Sequence, residues 1–315
     1  MDGEVLTLQT ATVGTGINIV FLGDGYTDRD MGSGGLYETV MTQAMDEFFA
    51  IEPYKTFRNR FNVYAVKVVS KNGRVGEGYT TALSSYFGSG TAMGGNNELC
   101  YEYALKVPGI TDRNNLLVNV MVNARRHGGT AYLYQATQSS VAYTTTYGND
   151  RELFGPTLRH ESGGHGFAFL ADEYFKFSGA APAEHIAEYN EVYEKYGWYS
   201  NVDFTDDRAK IRWSKFLSDD RYKNEVGIYE GAALYEKGAY RPSSNSMMNE
   251  NFEYFNAPSR WAIYQQIMKR SGETCSFDQF LEYDAVNRKS GSNAPAKKSR
   301  RATDFEPTAP PVIHP

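Results

Sequence analysis

The residues best suited to chemistry lie in one stretch, RHESGGHGFAFLADEY, which runs from Arg159 to Tyr174. It holds two of the chain's five histidines, His160 and His165, with Glu161 directly after the first. Apolar residues between these groups predict that the segment is buried. Because unpaired buried charge is costly, histidines and carboxylates gathered in a buried segment indicate a metal site, and this ligand set favours zinc.

The two histidines are one residue further apart than in the H-E-x-x-H helix of zinc peptidases. On an α-helix a five-residue spacing turns the chain by about 140°, so the imidazoles of His160 and His165 would diverge. A one-residue π-bulge at Ser162-Gly163-Gly164 would bring both rings to one face, and two glycines inside a helix, each costing roughly 1 kcal/mol, favour such a distortion. Alternatively, Glu161 and His165 form the ligand pair, or the two histidines are ordinary core residues without a metal.

A glutamate beside a zinc-binding histidine has the position of a general base, which makes Glu161 the candidate for activating a water molecule. A catalytic zinc typically has three protein ligands. We predict Asp172 as the third ligand, because it follows His165 by seven residues on a chain that turns away from the helix. Glu173 is the alternative ligand; otherwise it would orient a histidine ring from outside the ligand set.

Apolar patterns around this stretch predict the elements that must position it. Buried or alternating strands are expected at 17–22, 61–69, 115–123 and 140–146, with an amphipathic helix at 34–51 between the first two. This strand–helix–strand opening is typical of an α/β fold. A polar loop at 71–98 and a polar insert at 178–215, the latter with a helical stretch near 183–196, are expected to determine substrate choice. His127, beside two arginines and two glycines, is interpreted as a turn residue rather than a substrate contact.

Composition narrows the class of protein. The net charge of -6 over 315 residues argues against nucleic-acid binding, and no apolar run is long enough to span a bilayer. The opening MDGEVLTLQT is no signal peptide, so an exported protein would carry its targeting segment outside this sequence.

Residues 1–288 are predicted to form the catalytic domain, and residues 289–315 a tail or linker. Cys100 and Cys275 are equally compatible with one disulfide and with two free thiols.

With these residues in place, the chain resembles the M64 peptidases, a family named for an immunoglobulin A peptidase, whose signature is similar to HE(x)GH followed by LxDEY. The extra glycine before His165 is a departure from the shorter form of that signature. The blocks INIVFLGDGYTDRD, FFAIEPYKTFRNRFNVYAVKVVS and YRPSSNSMMN are also similar to the family. The matching signature residues are His160, Glu161, Gly164, His165, Leu170, Asp172, Glu173 and Tyr174.

The resemblance implies an α+β zincin of the metzincin type, with a twisted mixed sheet, an active-site helix and a Met-turn at Met247 or Met248. It implies that zinc polarises the scissile carbonyl, that Glu161 is the general base and acid, and that a tyrosine donates to the oxyanion, with Tyr174 and Tyr240 as candidates. We therefore expect a monomeric zinc metallopeptidase, secreted, periplasmic or on the cell surface, that cuts protein or peptide substrates. The alternative is an inactive zincin-like module that binds protein or glycan.

Overall fold

The computed structural model describes residues 1–251, 253–289 and 306–315, and these form two compact units. The first unit contains Met1–Phe167, Arg270–Glu273 and Glu306–Pro315. The second contains Ala168–Lys269 and the described part of Thr274–Phe305. Most of the predicted tail, 290–305, lies outside the described residues, whereas its last ten residues belong to the first unit.

The described residues form strands and helices that are numbered here in chain order. The strands are β1 Val5–Gln9, β2 Ile17–Asp24, β3 Phe61–Val66, β4 Tyr86–Phe87, β5 Met93–Gly94, β6 Leu117–Val122, β7 Gly129–Tyr134, β8 Ser139–Thr145, β9 Phe175–Ala180, β10 Tyr229–Ala232, β11 Leu234–Arg241 and β12 Val312–His314. The α-helices are α1 Leu36–Phe48, α2 Asn97–Ala104, α3 Arg151–Leu158, α4 Ala183–Tyr196, α5 Ser214–Leu217, α6 Met247–Glu250, α7 Ala257–Arg270, α8 Phe277–Tyr283 and α9 Ala285–Lys289. A π-helix, Arg159–Phe167, follows α3 without a break.

The first unit is built on a seven-stranded mixed sheet with the strand order β1-β3-β2-β6-β8-β7-β12. The central strands β3, β2, β6 and β8 are parallel, while β1 pairs antiparallel with β3 and β7 antiparallel with β8. The expected mixed α/β fold is therefore confirmed. The sequence does not predict β7, because the strand begins in a Gly-Gly pair that interrupts the strand pattern.

Both faces of this sheet are covered, which explains the unbroken apolar runs of its middle strands. Every residue of β6 is buried. Val118, Val120 and Val122 pack on one face in a core that includes Cys100 and Tyr101 of α2. The opposite face of the sheet carries the π-helix, which contacts β6, β7 and β8.

The long loop between β3 and α2 is anchored on Asp24, the last residue of β2. The Asp24 carboxylate is fully buried and accepts hydrogen bonds from the hydroxyls of Ser70 and Thr81, at 2.9 and 2.8 Å. It also accepts from the backbone N–H groups of Leu83 and Ser85, at 3.1 and 3.0 Å. A single buried carboxylate thus holds several turns of a loop that has little regular structure of its own.

The second unit contains a small sheet in the order β10-β11-β9 and the helices α4, α5, α6, α8 and α9, together with nearly all of α7. The helix expected near 183–196 is present as α4. The three strands are not predicted: β9 ends in Ser-Gly-Ala and all its residues are exposed, so no run of buried apolar residues marks it. Within α7, buried Arg260 forms an ion pair with Asp284 at 2.7 Å and another with Glu225 at 2.7 Å.

Neither cysteine is in a disulfide: Cys100 is buried and Cys275 partly buried, and both are free thiols. None of the described helices has the length and apolar character needed to cross a membrane.

Candidate metal centre

The histidine stretch is a π-helix over its first nine residues. Asp150 caps the preceding α3, because its side chain accepts from the Glu152 N–H at 3.1 Å. The chain then widens at Arg159 and stays π-helical to Phe167, and every residue of that span is buried. The π-distortion predicted from the two glycines is confirmed, although it extends well beyond the one residue expected.

A π-helix repeats its hydrogen bonds every five residues, which places His160 and His165 above one another. Their Nε2 atoms lie 3.1 Å apart, with the ring planes 74° to each other. Two imidazole nitrogens bound at 2.0–2.1 Å to one tetrahedral zinc would be separated by about 3.3 Å. The two rings are therefore positioned to share an ion, and the widened helix is the reason.

Side chains from three other parts of the chain donate hydrogen bonds to backbone carbonyls in the second half of the π-helix. The Tyr54 hydroxyl donates to Gly163 O at 2.6 Å, and the Ser140 hydroxyl of β8 donates to Gly166 O at 2.7 Å. Arg270, at the end of α7, donates to Phe167 O at 3.0 Å. Each bond satisfies a carbonyl where the helix departs from α geometry or ends.

Tyr54 is buried and Arg270 partly buried, and desolvation shifts the pKa of both groups. Burial raises the pKa of Tyr54 well above its usual value, so the hydroxyl keeps its proton and stays a donor. Burial lowers the pKa of Arg270 to about 10, although its guanidinium also stacks on Phe167, 4.3 Å from the ring centroid. At neutral pH both groups therefore remain hydrogen-bond donors to the helix.

Arg159 anchors the first turn of the π-helix to helix α1. Its guanidinium pairs with the Glu47 carboxylate of α1 at 2.6 Å, and Arg151 of α3 pairs with the same carboxylate at 2.8 Å. Gly155 provides the room for this contact, because a Cβ there would lie 2.5 Å from Glu47 Oε2. The glutamate thereby ties α1 to both parts of the histidine segment.

Glu161 lies between the two histidines in sequence and is fully buried. Gly129, the first residue of β7, packs directly against its side chain. A Cβ on Gly129 would come within 2.9 Å of Glu161 Cγ and 3.1 Å of Glu161 Oε1. Because residue 129 is a glycine, the Glu161 carboxylate can lie beside the start of β7 without a steric clash.

Asp172 is brought together with both histidines. One ligand atom from each of His160, His165 and Asp172 lies within 4.8 Å of the others, and all three residues are fully buried. Asn201 holds the chain beside Asp172, because its amide accepts from Ala171 N at 2.8 Å and donates to Ala171 O at 2.9 Å. The donor set of two imidazoles and a carboxylate fits a zinc ion.

Glu173, the alternative third ligand, is fully buried and points into a different network. Its carboxylate accepts from Ser246 Oγ at 2.5 Å, from Asn201 Nδ2 at 2.9 Å and from Asn256 Nδ2 at 2.9 Å to each oxygen. Burial raises the pKa of Glu173, and these hydrogen bonds oppose the shift. Ser259 Oγ donates to it as well, at 3.3 Å, so the carboxylate is already engaged by four neighbouring side chains.

The two methionines singled out in the sequence are buried in the short helix α6. The Met248 carbonyl accepts from the Glu173 N–H at 2.7 Å, and Ser246 binds the Glu173 side chain. The methionine turn is therefore joined by backbone and side chain to the residue that follows Asp172.

The remaining candidates are placed in different surroundings. Tyr174 is buried directly after Glu173, whereas Tyr240 lies on β11 and is partly exposed. His127 stacks on Tyr147, with ring centroids 5.6 Å apart, and its Nε2 lies 2.8 Å from Glu306 O. His127 thus contacts the chain itself, consistent with its interpretation as a structural residue.

Sequence reasoning missed most of the residues that support the histidines. Tyr54, Ser140 and Arg270 lie far from the histidines in sequence, and nothing in their local patterns marks them. Asn256 carries a partial signal: it precedes Ala-Pro-Ser and caps α7 by accepting from the Ser259 N–H at 3.0 Å. A helix cap is recognisable from such a pattern, but its second hydrogen bond to Glu173 is not.

Comparison with known proteins agrees with this geometry. The family model for IgA peptidase M64 matches residues 6–220 and 208–267 of the chain. No curated protein matches the chain. The family match covers most of the sequence, including the π-helix, the Asp172 segment and the methionine turn, so the chain belongs to the M64 peptidase family and is by that membership a peptidase.

Proposed function

We propose that this peptidase is a zinc enzyme that hydrolyses peptide bonds of protein substrates. The observation that carries the proposal is the approach of His160 Nε2 to within 3.1 Å of His165 Nε2, with Asp172 in the same buried group. Imidazole nitrogens and a carboxylate oxygen suit zinc, and three protein ligands leave the fourth position of a tetrahedral ion open for chemistry. A purely structural zinc site would be closed by a fourth protein ligand.

Asp172 is the proposed third ligand in preference to Glu173. The support is the contrast between two neighbours: Asp172 belongs to the group with both histidines, while the Glu173 carboxylate accepts hydrogen bonds from Ser246, Asn201 and Asn256. A ligand carboxylate must offer an oxygen lone pair to the ion. Glu173 instead holds the methionine turn and the chain next to Asp172.

Glu161 is the proposed general base and acid. Bound zinc would supply Lewis acidity, polarising the scissile carbonyl and making water easier to deprotonate. Glu161 takes the proton of the attacking water and delivers it to the leaving amine, which requires a carboxylate held in one place. Its burial and its packing against Gly129 limit the positions that the side chain adopts.

The metzincin character of the site is part of the same proposal. Met247 and Met248 are proposed to form an apolar floor for the ligands, supported by their burial and by the hydrogen bond from Glu173 N to Met248 O. Tyr174 and Tyr240 remain the candidates for a donor to the oxyanion. Export to the cell surface, periplasm or medium is also proposed, on the family resemblance alone.

The test is cleavage of a quenched fluorescent decapeptide library by the purified chain, with zinc measured in the same sample. We expect about one zinc per chain and cleavage that falls by roughly 10²- to 10⁴-fold in Glu161→Gln, the range for a lost general base. Glu184→Gln, at an exposed position, is the matched control and should retain full activity. Retained zinc and peptide binding without any cleavage would favour the binding-module alternative, and a metal-free native protein would refute the proposal.

A further inference from the structure

Residues 306–315, EPTAPPVIHP, continue the seven-stranded sheet beyond β7. Within them β12 runs parallel to β7, with Ile313 in register with Leu133. The Gln135 N–H donates to His314 O at 2.9 Å. The His314 ring also stacks on Tyr134, with centroids 4.8 Å apart. One end of the segment is thus fastened to the sheet as an added strand.

The other end of the segment lies beside the first residues of β7. The Thr91 hydroxyl donates to Pro307 O at 2.8 Å, and the Gly129 N–H donates to Thr91 O at 3.1 Å. His127 Nε2 lies 2.8 Å from Glu306 O, and since a carbonyl only accepts, the ring nitrogen is the donor. Residues 312–314 therefore pair with the second half of β7, and residues 306 and 307 are held by Thr91 and His127 near its start.

The strand with which they pair, β7, begins at Gly129, next to the Glu161 side chain. Gly129 packs against the Glu161 side chain, at 2.9 Å from Cγ for a Cβ built on the glycine. Without residues 306–314, β7 would be the edge strand of the sheet, and the backbone groups that pair with Val312–His314 would be exposed. Extended peptides bind such edges by adding a strand, with main-chain hydrogen bonds giving most of the affinity.

We propose that residues 306–314 are an internal strap on a peptide-binding edge: they occupy the surface of β7 to which an extended segment of a protein substrate adds as a strand. The inference rests on the proposed function, because the edge of β7 matters for catalysis only if Glu161, beside its first residue, is the general base. It makes displacement of the strap a condition of productive substrate binding.

The strap has the features of a displaceable strand. Only three of its residues, Val312–His314, pair with β7, fewer than the five or six of an average strand. Pro307, Pro310 and Pro311 have no N–H, so these three residues cannot donate a hydrogen bond to a β-ladder. Val312 remains 38 % exposed. A substrate with a complete set of N–H donors would make the stronger ladder.

The strap is tested in the full chain by weakening its two attachments. Thr91→Val removes the bond to Pro307, and His314→Ala removes the stacking on Tyr134. With a decapeptide library as substrate, we expect the double variant to lower KM by about tenfold at unchanged kcat, since a larger fraction of molecules has an open edge. Thr39→Val, which removes an exposed helix hydroxyl bond to Gly35 O, is the control and should leave KM unchanged.

A binding measurement separates this inference from the proposed function. A fluorescent synthetic peptide EPTAPPVIHP is added to a chain lacking residues 306–315, and its displacement by the unlabelled library is followed by anisotropy. Competition without any cleavage would uphold the strap and refute the peptidase proposal. Cleavage without competition would overturn the inference. So would an unchanged KM in the double variant accompanied by a lower melting temperature, since the segment would then merely cover a sheet edge. If the shortened chain does not fold, KM in the double variant decides.

Discussion

At the scale of single residues, Asp172 and Glu173 are adjacent carboxylates whose roles are set by their neighbours. We expect Asp172→Asn to weaken zinc binding on the order of 100-fold or more, because the proposed ligand loses its charge. Glu173→Gln should retain zinc but lower the free energy of unfolding by about 1–3 kcal/mol, since it turns an amide donor toward the Asn201 and Asn256 donors.

Metal titration and chemical denaturation of the two variants measure these effects separately. Glu184→Gln, at an exposed position, is the control for the denaturation series and should change stability by less than about 0.5 kcal/mol. If Glu173→Gln lost the zinc while Asp172→Asn kept it, the assignment of the third ligand would be reversed.

Lys215 is a second residue whose surroundings change its chemistry. Its ammonium lies 4.1 Å from the Trp261 ring centroid and 4.4 Å from that of Phe277, and burial lowers the pKa of Lys215 to about 8. The unfolded chain keeps this proton to a pH of about 10. Between these values the unfolded state binds more protons, so this lysine makes the free energy of unfolding rise with pH.

Reductive ¹³C-methylation and NMR titration test this value. We expect one dimethyl-lysine resonance with a midpoint near pH 8, absent from Lys215→Met, which keeps the apolar part of the side chain. The stability difference between wild type and this variant should change over the same pH interval. A midpoint close to that of the exposed lysines would contradict the prediction.

At the scale of secondary structure, the contact between β7 and the π-helix positions the base. Gly129→Ala places a Cβ 2.9 Å from Glu161 Cγ, so the carboxylate must move. We expect kcat to fall by at least about tenfold, since small displacements of a catalytic group are costly, while zinc content is retained. Gly32→Ala, where a Cβ would have no neighbour within 4 Å, is the control. Full activity in Gly129→Ala would show that Glu161 does not depend on this contact.

The same elements show what the sequence could and could not predict. The adjacent glycines at 163 and 164 predict a widened helix, because their cost is otherwise unexplained, and strands such as β2 and β6 are marked by apolar runs. By contrast, β7 starts in glycine and β12 lies in a Pro-rich tail, so local propensity argues against both. Their pairing depends on residues far apart in the chain, as does the fastening of the π-helix by Tyr54, Ser140 and Arg270.

At the scale of the whole molecule, a bound metal should stabilise the fold. An ion that binds only the folded state raises the free energy of unfolding by about 4 kcal/mol at a thousand times its Kd. We expect a chelator to lower the melting temperature by several degrees, reversibly on adding zinc. Glu161→Gln should show the same shift, whereas His165→Ala should show almost none. An identical chelator effect in His165→Ala would place the stabilising ion elsewhere.

We propose that one zinc ion is held by His160 and His165 of the π-helix together with Asp172. Anomalous scattering from crystals of the zinc-loaded chain, recorded on both sides of the zinc absorption edge, tests it most directly. We expect a single strong peak about 2.0–2.2 Å from both histidine Nε2 atoms and an Asp172 oxygen, with Glu161 beside it but unbound. A peak ligated by Glu161 or Glu173 in place of Asp172, or no peak near the two histidines, would contradict it.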